Sequence, residues 1–456
     1  MNQLLENAAR RSARYLAEFQ ERGVAPSAEA VARLAELREP FPAGPSEPED
    51  VLALLDDLGS PATMAMAGPR FFGFVIGGSL PVALAANWLA TAWDQNAAYE
   101  SPTPAAAALE AIALGWMRDI FGLDASCAGA FTTGATMANF SSLAAARHAV
   151  LARQGWNVEA DGLFGAPPVT VVIGEEAHPT LIKALGLVGF GRNRLLRVPV
   201  DGQGRMRPEA LPALSPATIV CAQAGNVNTG AFDALAQISE RTREAGAWLH
   251  VDGAFGLWAA AAQSRAHLVE GVALADSLAT DAHKWLNVPY DSGLAFVRDG
   301  EALRAAMAVT ADYLPSAGGV RNPSDYTPEL SRRARGVDVW AALRCLGASG
   351  LDDLVERSCR HAARFAEGLS AAGYEILNDV VLNQVLVSFG EPAMTERVVA
   401  GIQAEGTCWC GGTVWQGRSA MRISVSSWAT TEDDVERSLA AMLRVAQGPT
   451  ETAPQS

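Results

Sequence analysis

Between residues 128 and 298 the chain repeats one device, a short apolar or β-branched run followed by a stretch of helical character. Strand-length runs recur at 128–133, 169–174, 194–200, 217–223, 248–251, 276–280 and 293–298, and intervals such as 137–151 and 234–245 carry helical patterns. Strands that alternate with helices predict a largely parallel α/β sheet covered on both faces. Seven strands in one layer suit the length of the segment.

The flanks read differently. Residues 1 to 65 are predicted as helices with short loops, interrupted by Pro40, Pro42, Pro45 and Pro48. A segment rich in Gly, Ser and Pro at 314–330 precedes a helix through 337–346. Strands at 374–377, 384–388 and 421–426 then alternate with helices at 351–372 and 432–446. The expected organisation is a helical arm (1–95), a large domain (96–310), a smaller C-terminal α/β domain (311–448) and a polar tail (449–456).

Charge removes several classes of function. Lys and Arg total 35 against 50 Asp and Glu, a net charge of −15, which repels nucleic-acid backbones and anionic lipid. The densest basic run, Arg332-Arg333-Ala334-Arg335, is too short to reverse that, so neither nucleic acid nor membrane is an expected partner. The apolar stretch Pro81–Trp93 contains Asn87 and is too short to span a bilayer. Six cysteines without repeating spacing make no disulfide framework. The start, Met1-Asn2-Gln3-Leu4-Leu5-Glu6, lacks a basic segment followed by an apolar one, so a cytoplasmic location is expected. No two of the six histidines have zinc spacing, and no metal is expected.

Four short runs could carry chemistry. In Asp281-Ala282-His283-Lys284-Trp285-Leu286, Lys284 follows a strand and is flanked by apolar residues. A lysine there either snorkels to the surface or serves as an amine nucleophile toward a carbonyl compound. In Trp248-Leu249-His250-Val251-Asp252-Gly253-Ala254, an apolar strand ends in an acid, which is either a helix N-cap or a ligand group in the crevice at the strand ends. Together Asp252 and Lys284 supply what pyridoxal phosphate (PLP) chemistry needs, an acid against the pyridine nitrogen and a lysine for the aldehyde. Phe131-Thr132-Thr133-Gly134-Ala135-Thr136-Met137-Ala138-Asn139 runs from strand through glycine into helix, a setting for phosphate. His178 lies just past the strand at 169–174, where its flat ring could stack on a cofactor.

These runs, in this order, resemble the group II PLP-dependent amino-acid decarboxylases of the aspartate-aminotransferase fold, fold type I. The resemblance extends from Gly68-Pro69-Arg70-Phe71-Phe72-Gly73 to Met421-Arg422-Ile423-Ser424, and includes Gly225-Asn226-Val227-Asn228-Thr229-Gly230 and Ser331-Arg332-Arg333-Ala334-Arg335. It implies a large domain with a mostly parallel seven-stranded sheet plus a smaller C-terminal α/β domain, and a homodimer with active sites at the interface. It implies decarboxylation of an L-amino acid to amine and CO2, through an external aldimine and a quinonoid. An aminotransferase or an aldehyde-forming oxidative decarboxylase is the alternative on the same fold.

The resemblance also assigns roles. Lys284 would carry the cofactor, Asp252 would meet the pyridine nitrogen, and His178 would stack on the ring. Ala135, Thr136 and His283 would line the phosphate site, and Ala254 would pack against the ring. Tyr326, with Tyr313 as the fallback, would be the acid that returns a proton to the substrate carbon. Asp281 stands where better-known relatives have Asn; an acid beside a phosphate is repelled, so Asp281 is left out of the phosphate shell. Arg422 is either a structural arginine or a holder of substrate carboxylate. Trp93, Phe74, Trp415 and Arg418 are the side chains considered for the substrate pocket.

Overall fold

The computed structural model describes residues 1–309 and 321–448. All seven strand-length runs become strands: β1 (Ala128–Thr132), β2 (Thr170–Gly174), β3 (Leu196–Val198), β4 (Thr218–Gln223), β5 (Trp248–Asp252), β6 (Ser277–Asp281) and β7 (Gly293–Val297). Their order in the sheet is β1-β7-β6-β5-β4-β2-β3. Only β7 runs against its neighbours, β1 and β6; the other pairings are parallel. Every residue of β5, β6 and β7 is buried, as central strands covered on both faces require.

The helix Ala135–Ala152 crosses the sheet in contact with β1, β4, β5, β6 and β7. Its alanines explain how. Ala138 packs on Ala279 of β6 and Ala295 of β7, and side chains that small let the helix backbone lie close to the strands. Larger residues on the same helix, Leu143 and Val150, share a core with Leu181, Leu185 and Leu303 from the helices Pro179–Leu187 and Gly300–Met307.

The chain forms two compact units. One comprises Ser79–Arg360 with Asn378–Gln384 and holds the seven-stranded sheet; the other comprises Met1–Gly78, His361–Leu377 and the chain from Val385 onward. In the second, N-terminal residues are tied to C-terminal ones. Phe72 N–H donates to the Trp409 carbonyl, and Arg70 forms a 2.8 Å ion pair with Asp434, both side chains 3% exposed.

Four further strands, β8 (Glu375–Ile376), β9 (Gln384–Ser388), β10 (Gly411–Trp415) and β11 (Arg418–Ser424), pair in the order β10-β11-β9-β8. β10 was not expected from the sequence. It is the outer arm of a hairpin whose two-residue turn, Gln416-Gly417, has φ of 47° and 79°. Two positive φ values suit the right-handed twist of the paired strands. The helices expected at 337–346 and 351–372 form one run, Arg335–Ala371, broken by Gly347 at φ 59° and ψ −174°.

Candidate active site

Because β7 is antiparallel to both β1 and β6, β1 runs parallel to β6, β5 and β4. Their carboxyl ends therefore share one edge of the sheet, the edge where open α/β sheets bind ligands. Asp252 ends β5, Asp281 ends β6, and Gly134 leads from β1 into the helix Ala135–Ala152. Gly134 has φ 149°, a conformation a side chain would strain. A Cβ on Gly293, at the start of β7, would fall 2.4 Å from the Gly134 backbone. The two glycines thus bring the turn after β1 against the loop after β6.

Lys284 lies three residues beyond β6. Its Nζ is 2.8 Å from Asp281 Oδ2, and its side chain is 22% exposed. Asp281 Oδ1 accepts the Ala135 N–H at 2.5 Å and lies 3.5 Å from His283 Nε2. The Asp281 carbonyl accepts from Trp258 Nε1. Asp281 therefore lies beside Ala135 and His283, two of the residues that the resemblance assigns to the phosphate. A lysine, a helix-start amide and an imidazole compensate its charge; Lys284 and His283 are local in sequence, but the Ala135 amide is remote and was not countable from spacing.

Ser292 N–H donates to His283 Nδ1 at 3.0 Å, which puts the ring proton on Nε2, facing Asp281. Burial lowers the His283 pKa, with Asp281 opposing. The Thr136 amide and hydroxyl make no hydrogen bond among the described residues. The start of this helix thus offers an oxyanion the Thr136 N–H, the Thr136 hydroxyl and the His283 Nε2–H.

Asp252 has a different environment. It is 3% exposed, and it accepts from Ala254 N–H at 3.2 Å and from Asn139 Nδ2 at 3.2 Å. Burial raises its pKa, while the charges of His178 and Lys284 and the Asn139 hydrogen bond pull it down. Among the described residues it has no ion pair. A cationic N–H brought to this carboxylate would meet a group whose direct donors are neutral. His178 begins the helix Pro179–Leu187, and its Nδ1 lies 3.3 Å from Thr180 N and 2.6 Å from Thr180 Oγ1, which orients the ring. The Asp281 N–H donates to the Ala254 carbonyl, lacing the ends of β5 and β6 together.

Lys284, Asp252, His178, Ala135, Thr136, Ala254 and His283 are therefore gathered at one sheet edge. Tyr326 is not brought to them. Its ring lies 4.4 Å beneath the Arg321 guanidinium and packs against the core that includes Ala302 and Leu303. Tyr313 lies outside the described residues. Trp415 is buried with Leu386 and Ala420, and Arg418 is held by both oxygens of Glu375. Arg422, on β11, has no ion pair among the described residues, and burial lowers its pKa.

Two further residues escaped the sequence reading. Asn139 lies one helical turn beyond Ala135, and that i, i+4 spacing was the available signal. Arg332 is fully buried; it pairs with Glu110 at 2.9 Å and donates to the carbonyls of Ala97 and of Phe131 on β1. It braces the strand that leads into Gly134.

Residues 36–390 match the family model described as the pyridoxal-dependent decarboxylase conserved domain. The chain is similar to an aromatic-L-amino-acid decarboxylase of Bacillus atrophaeus, 26% identical over 87% of this chain and 85% of that protein. It is also similar to an L-2,4-diaminobutyrate decarboxylase of Rhizobium meliloti (strain 1021), 28% identical over 86% and 81%. In fold it resembles the crystal structure of Oryza sativa TDC with PLP and tryptamine, with a TM-score of 0.90 at 23% identity, covering 98% of this chain and 97% of that one.

Proposed function

The chain belongs to the pyridoxal-dependent decarboxylase family, and on that footing we propose that it converts an L-amino acid to the amine and CO2 at the shared ends of β5 and β6. Its cofactor is PLP, and its reaction class is PLP-dependent amino-acid decarboxylation, that of a carboxy-lyase. The observation that carries the site assignment is the pairing of two strand ends. Asp252 is buried with neutral donors only, and Lys284 follows the adjacent parallel strand, on which Ala279 is the register partner of Asp252.

The residues fit the cofactor group by group. Thr136 would supply its unused N–H and hydroxyl to the phosphate beside the helix start at Ala135, and His283, whose Nε2–H faces Asp281 at 3.5 Å, would stand next to them. Asp252 lacks a cationic hydrogen-bond partner and would keep a proton on the pyridine nitrogen. Ala254, with no bulk beyond Cβ, leaves room beside the ring, and the oriented imidazole of His178 would lie on its face. Lys284 would hold the cofactor through its ε-amine, and Asp281 would receive that amine as an ammonium whenever it is released. When bound, PLP supplies the electron sink for the pair left as the carboxylate departs.

The active form is proposed to be a homodimer in the cytoplasm. The helix Pro81–Trp93 is apolar almost throughout yet buries only Ala83 and exposes Trp88, Leu89 and Trp93. The helix Asn2–Ala17 buries none of its residues. Exposed apolar side chains gathered on one helix, as on Pro81–Trp93, suit an association site, and analytical ultracentrifugation would register a single subunit mass if the proposal is wrong. All six cysteines are free, as suits a reducing compartment.

The test of the reaction is product mass spectrometry after PLP-loaded protein is incubated with a panel of amino acids, with and without a 2-oxo acid acceptor. An amine formed without acceptor is the expected result and names the substrate. A 2-oxo acid formed only with acceptor would overturn the proposal and make Arg422 the holder of substrate carboxylate.

A further inference from the structure

Behind Asp252 a line of hydrogen-bonded side chains runs through the protein interior. Trp248 Nε1 lies 2.9 Å from Ser277 Oγ, Ser277 Oγ lies 2.9 Å from His250 Nδ1, and His250 Nε2 lies 2.8 Å from Asn139 Oδ1. Asn139 Nδ2 completes the line to Asp252 Oδ2 at 3.2 Å. His250 and Asn139 are fully buried and Ser277 nearly so, so water does not substitute for any of these partners.

The direction of the line follows from its two ends. A carboxylate only accepts, so Asn139 must turn its NH2 toward Asp252 and its oxygen toward His250. His250 must then carry its proton on Nε2, leaving Nδ1 as an acceptor for the Ser277 hydroxyl. At the far end the indole of Trp248 only donates, so Ser277 Oγ accepts from it and is left with its own proton for His250. In the reversed direction a protonated Asp252 would donate to Asn139 and His250 would donate from Nδ1 to Ser277. The Ser277 hydroxyl proton would then have no acceptor among the described residues. Burial also pushes the His250 pKa down to about 3, which keeps the ring neutral and able to act as a one-way link.

We propose that His250 is a positioning residue for the reaction: locked by Ser277 as the Nε2–H tautomer, it orients the Asn139 amide and so holds Asp252 as the carboxylate that faces the pyridine nitrogen of the cofactor. The proposal rests on the reading of Asp252 given above. It makes Ser277 and Trp248, which end the line farthest from Asp252, determinants of the protonation state of the cofactor ring.

The experiment uses ¹⁵N NMR on protein labelled at histidine, before and after loading with ¹⁵N-labelled PLP, together with kcat and KM. In the parent protein His250 should show the Nε2–H tautomer with and without cofactor. Ser277→Ala removes the donor to Nδ1 and should give a mixture of tautomers, a loss of proton from the pyridine nitrogen, and a fall of about tenfold in kcat with KM unchanged, the upper end of what one neutral hydrogen bond contributes. His250→Gln keeps an acceptor for Ser277 and a donor for Asn139 and should restore both the ring proton and kcat; His250→Phe should not.

A parent protein with His250 in the Nδ1–H form, or a Ser277→Ala variant with an unchanged ring nitrogen, overturns the proposal. Asp252→Ala separates the two layers. If that variant keeps the ring proton and the parental rate, the reading of Asp252 fails and the proposal with it. If Asp252→Ala loses both while Ser277→Ala and His250→Phe lose neither, the line alone is refuted.

Discussion

Two carboxylates end neighbouring strands of the same sheet, both almost fully buried, and the protein treats them in opposite ways. Asp281 at the end of β6 has its charge matched by the Lys284 ammonium at 2.8 Å and by the Ala135 amide. Asp252 at the end of β5 has only the amide groups of Asn139 and Ala254 as direct donors. A buried charge with no oppositely charged group bonded to it directly is unfavourable, and it is tolerated where function needs the field it creates. The difference teaches which acid is reserved for a ligand. Asp281 is already satisfied by the protein, whereas Asp252 is positioned to receive a cationic N–H that the protein does not supply.

The largest test of that contrast removes the charge from the reserved acid. Asp252→Asn should lower kcat by about a thousandfold or more, as loss of a residue acting within a catalytic unit does, while Lys284 still captures the cofactor and its absorption band still forms. A variant that turned over at a tenth of the parental rate would remove Asp252 from the reaction. The matching substitution at the other strand end should act in the opposite sense. Asp281→Asn removes an anion from beside Ala135 and His283, where the phosphate is proposed to sit, and keeps an oxygen for the Ala135 N–H. It should tighten PLP binding by about tenfold, the order of one screened charge–charge repulsion, in equilibrium dialysis. Weaker binding in the variant would instead make the ion pair with Lys284 the more important function of Asp281.

How far this was legible beforehand depends on which interactions are local. Most of the seven strands could be read from the sequence because buried strands are continuous apolar runs; β3, Leu196-Arg197-Val198, is the exception to that pattern, with two exposed residues. β10 could not, because Gly411 and Gly412 carry no apolar signal and its turn uses Gln rather than Asn at the first position of positive φ. Lys284 and Asp252 stood out because each ends an apolar run with a charge. Asp281 stood out as well, but its setting was only partly legible, since part of the compensation for its charge comes from Ala135, which is remote in sequence. Asn139 and Arg332 were quoted in motifs without a role, because a polar residue inside a helix or loop shows nothing of its partner until the chain is folded.

A third buried carboxylate sharpens the comparison by standing apart from both strand ends. Asp338 is 5% exposed. Its Oδ2 accepts from Asn87 Nδ2 at 2.8 Å, and its Oδ1 is buried without a hydrogen bond among the described residues. Burial pushes its pKa up to about 6 from 3.8. A carboxyl with a folded pKa above its unfolded value binds its proton more tightly when folded. Its contribution to stability therefore falls as pH rises from about 4 to about 6 and stays lost above that. Relative to Asp338→Asn, the parent should lose about 1–3 kcal/mol between pH 4 and pH 7 in urea unfolding, the size of a shift of about two units. Parallel curves for the two proteins would show that Asp338 is compensated in some other way, as Asp281 is.

The smallest effect is expected at Tyr326, which belongs to neither strand end. Its ring is held by Arg321 and by core packing, and its hydroxyl makes no hydrogen bond among the described residues. Tyr326→Phe keeps the ring, so stability should stay within about 0.5 kcal/mol, and the ratio of amine to aldehyde in the products should not move. The product ratio is the decisive reading, because an acid that returns the proton to the substrate carbon controls it directly. A rise in aldehyde at the expense of amine would restore Tyr326 as that acid. It would also mean that the working site draws on a residue that the two strand ends of one chain do not gather.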